Sequence, residues 1–308
     1  MPNLPEPRPR RVTPRLTLAN LDWPVVVGIG ALHLGALAAP FFFSWSALGL
    51  MVALVWITGG LGITLCYHRL LTHRSFQTPR WLEYGLTIIA CTCWQGGPVQ
   101  WVGVHRIHHA TSDQPGDPHS PRHGFAWAHM LWCMIKKGEG GRDGAPAARD
   151  LLRDPVHRFL NRWFFVPQFG LVGLLAAGGW LLGGPWLAAS WVVWGVCLRT
   201  VFVYHGTWFV NSASHTWGYR NFRTTDGSTN LWWVAVFAFG EGWHNNHHAQ
   251  QRSAAHGLRW FEFDLTWWTI RLLEKLHLAS HVVRPDLSGL TVVEAAVPCP
   301  QARPAEVS

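Results

Sequence analysis

Long uncharged stretches dominate the pattern of apolar and polar positions along the chain. Residues 23–64 contain no Asp, Glu, Lys or Arg, and Pro40 divides them into two apolar segments. A second uncharged block runs from Trp163 to Cys197 and is interrupted at Gly183-Gly184-Pro185. Each segment is close to the roughly 20 residues that a helix needs to cross a bilayer. The pattern therefore predicts four transmembrane helices in two hairpins, over about 23–40, 44–65, 163–183 and 186–208.

Other segments depart from this pattern. Residues 84–104 are uncharged, but Gln95, Gln100 and a Gly-Gly-Pro break favour an interfacial or re-entrant segment over a lipid-facing helix. Residues 259–278 combine tryptophans with spaced charges, which predicts an amphipathic helix on the membrane surface. The polar, Pro-rich ends, residues 1–22 and 282–308, are predicted to be disordered, and residues 23–281 then form one membrane domain.

Composition and charge support a membrane protein and indicate its orientation. Charged residues make up 14% of the chain, against about 25% in typical domains, and the 21 tryptophans favour a membrane–water boundary. The net charge of +8 arises from Lys and Arg beside apolar segments, which argues for lipid headgroups and against a nucleic-acid footprint. The loops near Pro40 and Gly183 are uncharged, so we expect both termini and the central segment to face the cytoplasm. The basic residues on that side are Arg8, Arg10, Arg11, Arg15, Arg69, Arg74, Lys136, Lys137, Arg158 and Arg162.

Eight of the eighteen histidines fall into three clusters, or boxes. The first is the pair His68 and His73, directly after the second predicted span. The other two share an i, i+3, i+4 spacing, which places three imidazoles on one helix face. Imidazole nitrogens bind iron, copper, nickel and zinc well, so the spacing indicates a transition-metal site. The two triples are His105, His108 and His109, and His244, His247 and His248.

The clusters also constrain topology and metal count. To share one centre, they must lie on one side of the bilayer, so residues 84–104 cannot cross it. Eight imidazoles exceed the capacity of one octahedral ion, which predicts two metals. Few carboxylates neighbour the boxes, which argues against paired glutamates that bridge two irons, although Glu241-x-x-His244 and Glu274-x-x-His277 match that short pattern. Glu241 is instead expected to orient an imidazole from outside the ligand set. Nine of the ten remaining histidines are interpreted as satisfied polar or interfacial residues: His33, His119, His123, His129, His157, His205, His256, His277 and His281.

The boxes and their surroundings resemble the membrane fatty acyl desaturases, in particular the Δ9, stearoyl-type branch. The matching segments, within about residues 45–275, are YHRLLTHRSFQTP, QGGPVQWVGVHRIHHATSDQPGDPHS, NSASHTWGYRN and GEGWHNNHH. The resemblance implies an all-α integral membrane protein whose cytosolic helical cap carries the boxes. It also implies an oxygen-dependent reaction that introduces a cis double bond into a saturated acyl chain, usually between carbons 9 and 10, with two iron ions and dioxygen.

The same resemblance assigns roles to individual residues. His215, in NSASH, is implied as a ninth ligand, and Asn211 as a residue that reaches a metal through water. Trp94, Trp101 and Trp243 adjoin the boxes and are candidates to line an acyl tunnel, although ordinary interfacial packing explains them equally well. The implied ligand set is His68, His73, His105, His108, His109, His215, His244, His247 and His248.

One departure concerns the acyl carrier. Gly103-Val104 stand where animal acyl-CoA members have an Arg-Asp pair that helps to hold CoA. The pattern WVGVHRIHH is more similar to bacterial and cyanobacterial members, some of which act on glycerolipids. The carrier, CoA or glycerolipid, therefore stays open at this point.

The partners and the alternatives follow from the same residues. The chain contains no haem-binding His-Pro-Gly-Gly motif, so a separate electron donor is implied, ferredoxin-like or a small haem protein, and an acidic one suits the basic face. An alternative activity on similar chemistry is hydroxylation, as in alkane hydroxylases and ketolases. A histidine-rich metal transporter or multi-haem carrier is a third reading, but the clusters lie at span ends rather than along a path through the spans.

Overall fold

The computed structural model describes residues 16–136 and 143–293, which contain helices and isolated bridges but no strand. This confirms the all-α prediction for that part of the chain. We number the α-helices in chain order. They are α1 (Trp23–Leu37), α2 (Trp45–Leu54), α3 (Arg80–Cys91), α4 (Pro98–Thr111), α5 (Phe125–His129), α6 (Arg149–Arg153), α7 (Pro155–Arg162), α8 (Val166–Val192), α9 (Arg199–Ser212), α10 (Trp232–Phe237), α11 (His244–Ala249) and α12 (Leu265–Lys275). Wider π-type helix continues α2 over Val55–Thr72 and joins α8 to α9 over Val193–Leu198.

Two helical segments are long and apolar enough to cross a membrane, Trp45–Thr72 and Val166–His215. The first begins at Ser44, whose hydroxyl accepts a hydrogen bond from the Ala47 N–H at 3.1 Å and so caps the helix. The helix in the first predicted span, α1, is apolar but only 15 residues long. The described residues therefore support a membrane protein with two helices of spanning length.

The helix Val166–His215 reverses direction in its middle. Gly184 has φ +74°, a left-handed conformation that glycine adopts without steric cost. The two arms then pack antiparallel: Gly179 lies against the backbone of Ala188, and the Gln168 amide donates to the Thr200 hydroxyl at 3.4 Å. This reversal agrees with the hairpin predicted from the Gly-Gly-Pro break.

Residues 84–104 do not form one helix. A turn over residues 92–97 separates α3 from α4, with positive φ at Trp94 and Gly96. Helix α3 packs closely on the wide half of α2, where Gly62 lies against the backbone of Ala90. The polar residues and the Gly-Gly-Pro sequence thus mark the turn at which α3 has ended and α4 begins.

The main apolar core surrounds the π-helical segment Val55–Thr72 that continues α2. It includes Leu65, Leu70 and Leu71 from that segment, Ala90 from α3 and Val102 from α4, all buried. The core therefore holds the end of the segment Val55–Thr72 against α4, and each of the two carries a histidine box.

The predicted amphipathic helix is present as α12. Asp264 caps it by accepting a hydrogen bond from the Trp267 N–H at 2.9 Å. Ile270 is buried against the core, whereas Trp268 is exposed on the opposite side. The helix thus has one packed face and one free apolar face, as an interfacial helix requires.

The described parts of the two ends, whose disorder stays a prediction, form backbone hydrogen bonds with neighbouring loops. The Asp22 N–H donates to the Met134 carbonyl at 2.8 Å, and the Val283 N–H donates to the Ser75 carbonyl at 2.8 Å. The Val293 N–H also bonds to a carbonyl, at 2.9 Å. Composition does not reveal this pairing of backbone groups. Residues 1–15 and 294–308, and Lys137, lie outside the described residues.

Close backbone contact fixes the position of α4. A Cβ atom at Gly103 would lie 1.8 Å from the Gly144 carbonyl oxygen, a distance no side chain tolerates. Only glycine at residue 103 therefore lets the box-bearing helix approach the segment before α6.

We expect Gly103→Ala to destabilise the protein by about 1–3 kcal/mol, because the added methyl forces the two backbones apart. The measurement is the midpoint of unfolding in detergent. Gly85→Ala is the matched control, since a Cβ atom there meets nothing within 4 Å and alanine favours the helix. Equal midpoints for the two variants would contradict the packing argument.

Candidate metal centre

The nine histidines implied as ligands form two adjacent buried clusters. In each cluster, one nitrogen from every ring lies within 4.8 Å of the others. The five-histidine cluster consists of His68, His73, His105, His109 and His247. The four-histidine cluster consists of His108, His215, His244 and His248.

Each triple contributes to both clusters instead of serving one. Helix α4 directs His105 and His109 into the five-histidine cluster and His108 into the four-histidine cluster. Helix α11 divides its triple in the opposite way, with only His247 in the five-histidine cluster. The i, i+3, i+4 spacing is therefore suited to two neighbouring ions, because adjacent positions on one face diverge enough to reach different sites.

The wide turn of α2 explains the unusual spacing of the first box. The His73 N–H donates to the His68 carbonyl at 3.2 Å, a hydrogen bond between residues five apart, as in a π-helix. This winding stacks positions i and i+5, and the two imidazole centroids lie 4.7 Å apart. Thr72 supports the turn by donating to the Tyr67 carbonyl, again five residues away, at 2.7 Å.

Distances within the five-histidine cluster suit ligands of one ion. The Nε2 atom of His109 lies 3.1 Å from that of His105 and 3.0 Å from that of His247. The Nε2 atoms of His68 and His247 are 3.2 Å apart. A metal–nitrogen bond of about 2.1 Å, as for imidazole on zinc, separates neighbouring octahedral ligands by roughly 3.0 Å. The residues present therefore fit a transition-metal ion.

Carboxylates hold the outer nitrogens of the four-histidine cluster. Each such pair leaves the inner Nε2 atom buried and without a hydrogen-bond partner, and both nitrogens of His244 are in the same state. Metal-binding histidines typically have this arrangement, in which a carboxylate fixes the tautomer and the ring orientation. The pairs are His108 Nδ1 with Asp117 at 3.0 Å, His215 Nδ1 with Asp113 at 3.1 Å, and His248 Nδ1 with Asp226 at 2.6 Å.

The expectation that carboxylates are scarce around the boxes is therefore wrong. Asp113 and Asp117 follow α4 within eight residues of His109, but they lie in a loop, where helical spacing does not apply. Asp226 comes from a separate loop. The only signal in the sequence was the closeness of the first two to the second box.

Glu241 orients an imidazole, as expected, but not that of its neighbouring box. Its Oε2 atom lies 2.7 Å from His68 Nδ1 and 2.9 Å from His256 Nδ1. Its Oε1 atom accepts from the guanidinium of Arg69, which also donates to both oxygens of Asp264 at 2.9 Å. His256, interpreted from sequence as an ordinary polar residue, thus belongs to the surroundings of the five-histidine cluster.

The electrostatics favour the neutral form of His105 and His247 and the ionised form of Asp117. Burial, followed by neighbouring imidazoles, lowers the pKa of His105 and His247 well below the ordinary value. Burial and the charge of His108 similarly lower the pKa of His119 to about 3. Burial alone would raise the pKa of Asp117, but His108 and His119 hold it below its usual range. Neutral imidazoles with anions behind them are ready to bind a cation.

Three histidines outside the boxes bond to one another away from the clusters. His33 Nε2 lies 3.2 Å from His205 Nε2, and His205 Nδ1 lies 2.9 Å from His129 Nε2. The His129 Nδ1 atom is 3.0 Å from the Ser212 hydroxyl. Their interpretation as satisfied polar residues is confirmed.

A largely apolar cavity of about 450 Å³ reaches the five-histidine cluster. His68 and His105 form part of its wall, together with Trp94 and Trp101. The third tunnel candidate, Trp243, is not part of the lining, because its indole is buried and donates to the Phe263 carbonyl at 2.9 Å.

Polar side chains in the cavity wall pair with each other. The Trp101 indole N–H donates to the Gln95 side-chain oxygen Oε1 at 3.2 Å, and the Gln95 side-chain amide donates to the Thr207 hydroxyl at 3.0 Å. Asn211, one turn after Thr207, also lines the cavity. The pairing connects the turn before α4 with α9 beside His105, whose ring centroid is 5.2 Å from that of Trp101.

Comparison with known proteins agrees with this site. The family model described as fatty acid desaturase matches residues 11–284. The chain is 51% identical over 273 residues to an sn-1 stearoyl-lipid 9-desaturase of Anabaena variabilis, covering 88% of this chain and 97% of that protein. It is 49% identical over 276 residues to an sn-2 palmitoyl-lipid 9-desaturase of Nostoc sp., covering 88% and 94%. An acyl-CoA 5-desaturase of Anemone leveillei is 44% identical over 264 residues, covering 85% and 79%.

Replacing a carboxylate behind the cluster tests its role. We expect Asp226→Asn to lower metal affinity about 10- to 100-fold, because His248 loses the anion that orients its ring. Metal retained against a chelator of known affinity gives the measurement. Asp286→Asn, at an exposed position, is the control and should retain metal like the unmodified protein. Equal retention by the two variants would exclude an orienting role.

Proposed function

The chain belongs to the fatty acid desaturase family, and we propose that it introduces a cis double bond between carbons 9 and 10 of a saturated acyl chain, using two iron ions and dioxygen. The observation that carries the proposal is the apolar cavity whose wall includes ligands of the five-histidine cluster. An extended acyl chain needs such a surface to bring one methylene pair to the metals.

The two clusters fit iron as the family implies. Imidazole ligands suit first-row transition metals, and nine neutral nitrogens leave the positive charge of two ions uncompensated. Bound iron would supply the activation of dioxygen that removal of two hydrogens from an unactivated chain requires. We assign His215 to the four-histidine ion, and Asn211, one turn earlier on α9, as a weaker ligand through water.

A glycerolipid is the proposed acyl carrier. Two of the three relatives described above are named for lipid-linked substrates. At the position of the Arg-Asp pair of animal acyl-CoA members, Gly103 is packed against the backbone of Gly144 and leaves no room for a side chain. A binding mode for CoA that uses an arginine there is therefore closed to this chain.

Four spans with both termini and the boxes in the cytoplasm is the proposed topology. Helix α1 and the turn that follows extend the first apolar segment to Phe42. Large apolar side chains are exposed around both hairpin turns, where no charged residue occurs, as expected for the side opposite the boxes. They are Leu37, Phe41 and Trp45 at the first turn and Leu181, Leu182 and Trp186 at the second.

A surface cleft over the four-histidine cluster is the proposed docking place for the electron donor. The cleft is lined by His248 together with Arg252 and Arg284. Arg74 lies near it, because the Val283 N–H bonds to Ser75 and the Ser75 hydroxyl lies 3.4 Å from the Ser253 carbonyl. Arg74 and Arg284 are paired with Asp150 and Glu274, so Arg252 is the main positive charge that a small acidic redox protein would complement, close to the metal ligand His248.

Expression in a host that lacks monounsaturated fatty acids tests the activity. We expect a new cis-9 alkene in the lipid fraction by gas chromatography, given iron and a competent donor. His247→Ala should abolish it and lower bound iron, because this ring lies within 3.2 Å of two other ligand nitrogens. His277→Ala, at an exposed position, should retain both.

A hydroxylated chain in place of the alkene would overturn the desaturase proposal in favour of a hydroxylase. Normal iron content in His247→Ala would contradict its role as a ligand.

Charge reversal tests the donor cleft. We expect Arg252→Glu to weaken binding of a plant-type [2Fe–2S] ferredoxin roughly fivefold, since one exposed ion pair contributes up to about 1 kcal/mol. Binding is measured with the protein in phosphatidylcholine nanodiscs at low and high salt. Arg122→Glu, at an exposed position outside the cleft lining, is the control. The same loss in both variants, or a loss insensitive to salt, would place the donor elsewhere.

A further inference from the structure

The turn between α3 and α4 forms a continuous part of the cavity wall. Trp94, Gln95, Gly96 and Gly97 all line the cavity. Trp94 has φ +54°, a left-handed conformation that is costly for a bulky residue and persists only when its surroundings hold it. The shape of this wall therefore depends on the groups that hold the backbone of the turn.

Helix α9 holds the turn at two of its backbone carbonyls. The Arg199 Nη1 atom donates to the Thr92 carbonyl at 3.0 Å. The Tyr204 hydroxyl donates to the Trp94 carbonyl at 2.9 Å. From the π-helical segment that continues α2, the Tyr67 hydroxyl donates to the Gly96 carbonyl at 3.3 Å. The carbonyls of alternate residues in the turn, Thr92, Trp94 and Gly96, are thus satisfied by long side chains from the two helices beside it.

Arg199 is a fully buried cation whose described hydrogen bonds all go to neutral acceptors. Besides Thr92, these are the Gly195 carbonyl at 3.0 Å, the Thr58 hydroxyl at 3.3 Å and the Gln168 side-chain oxygen at 2.9 Å. Apolar side chains would fasten the same helices without the desolvation cost of a charge. A guanidinium, however, can bond to a turn carbonyl and to two neighbouring helices at once. This geometry indicates that Arg199 serves to hold the turn.

The box helix that follows is anchored independently of these bonds. The Gln100 N–H donates to the Asn161 side-chain oxygen at 3.1 Å, and Arg106 donates to the Leu71 carbonyl at 2.9 Å. Gly103 is also locked against Gly144. Loosening the turn would therefore move the cavity wall while the histidines of α4 stay in place.

We propose that Arg199 and Tyr204 are positioning residues that set the double-bond position by holding the backbone of the turn over residues 92–97. The inference rests on the desaturase function proposed above. The wall and the ligands His68 and His105 face the same cavity, so the wall determines which methylene pair lies beside them. A displacement of about 1 Å in a reacting group changes a rate about 100-fold, so a small shift of the wall is enough to change the product.

The test uses the full chain in the same lipid host, with Tyr204→Phe and Arg199→Lys. The position of each double bond is determined by mass spectrometry of derivatised acyl chains, and bound iron and the unfolding midpoint are measured on the purified protein. We expect Tyr204→Phe to raise the share of neighbouring positional isomers about fivefold, the effect of one lost hydrogen bond on the population of the turn. Iron content should stay at the unmodified level.

Tyr84→Phe is the matched control, because its hydroxyl bonds to Asp154 at 3.0 Å and the residue does not line the cavity. It should leave the product position unchanged. An unchanged isomer distribution in both Tyr204→Phe and Arg199→Lys would overturn the inference, and so would an equal change in Tyr84→Phe or a parallel loss of iron. If the unmodified chain formed no alkene at all, the proposed function itself would fail, which separates the two results.

Discussion

The whole site depends on the pairing of buried imidazoles with buried carboxylates. Asp113, Asp117, Asp226 and Glu241 hold outer ring nitrogens, so that the inner nitrogens face a common point. A buried carboxylate is stable only when it is paired, and a buried imidazole without an anchor would rotate. Because all four of these anions come from loops or turns, these connections become as necessary to the metal centre as the helices that carry the ligands.

The sequence predicted the ligands more completely than their arrangement. The pair His68 and His73, the helical spacing in α4 and α11 and the resemblance around His215 together named all nine histidines that the structure brings together. Spacing did not show that each triple divides between two clusters, since that depends on where partner helices lie. Asp226 and His256 were missed for a related reason: their roles follow from contacts with residues 22 and 15 positions away, respectively.

In the fold, too, the sequence predicted local features better than contacts between distant residues. Uncharged blocks and the Gly-Gly-Pro breaks predicted the apolar helices and the turn at Gly184, because burial in lipid or core imposes a local composition. Composition gave no sign of the hydrogen bonds that the segment after residue 281 forms. Its stability comes from backbone hydrogen bonds, such as that from Val283 to Ser75, and these leave no trace in hydropathy.

The division of each triple also links the two ions through the chain itself. Because α4 and α11 each place ligands in both clusters, an ion in one cluster restrains the helices that complete the other. Most of the conformational entropy cost of ordering those helices is then incurred when the first ion binds. The second ion binds to a site that is already ordered. Metallation of this protein should therefore be cooperative, with the half-loaded form sparsely populated along the titration.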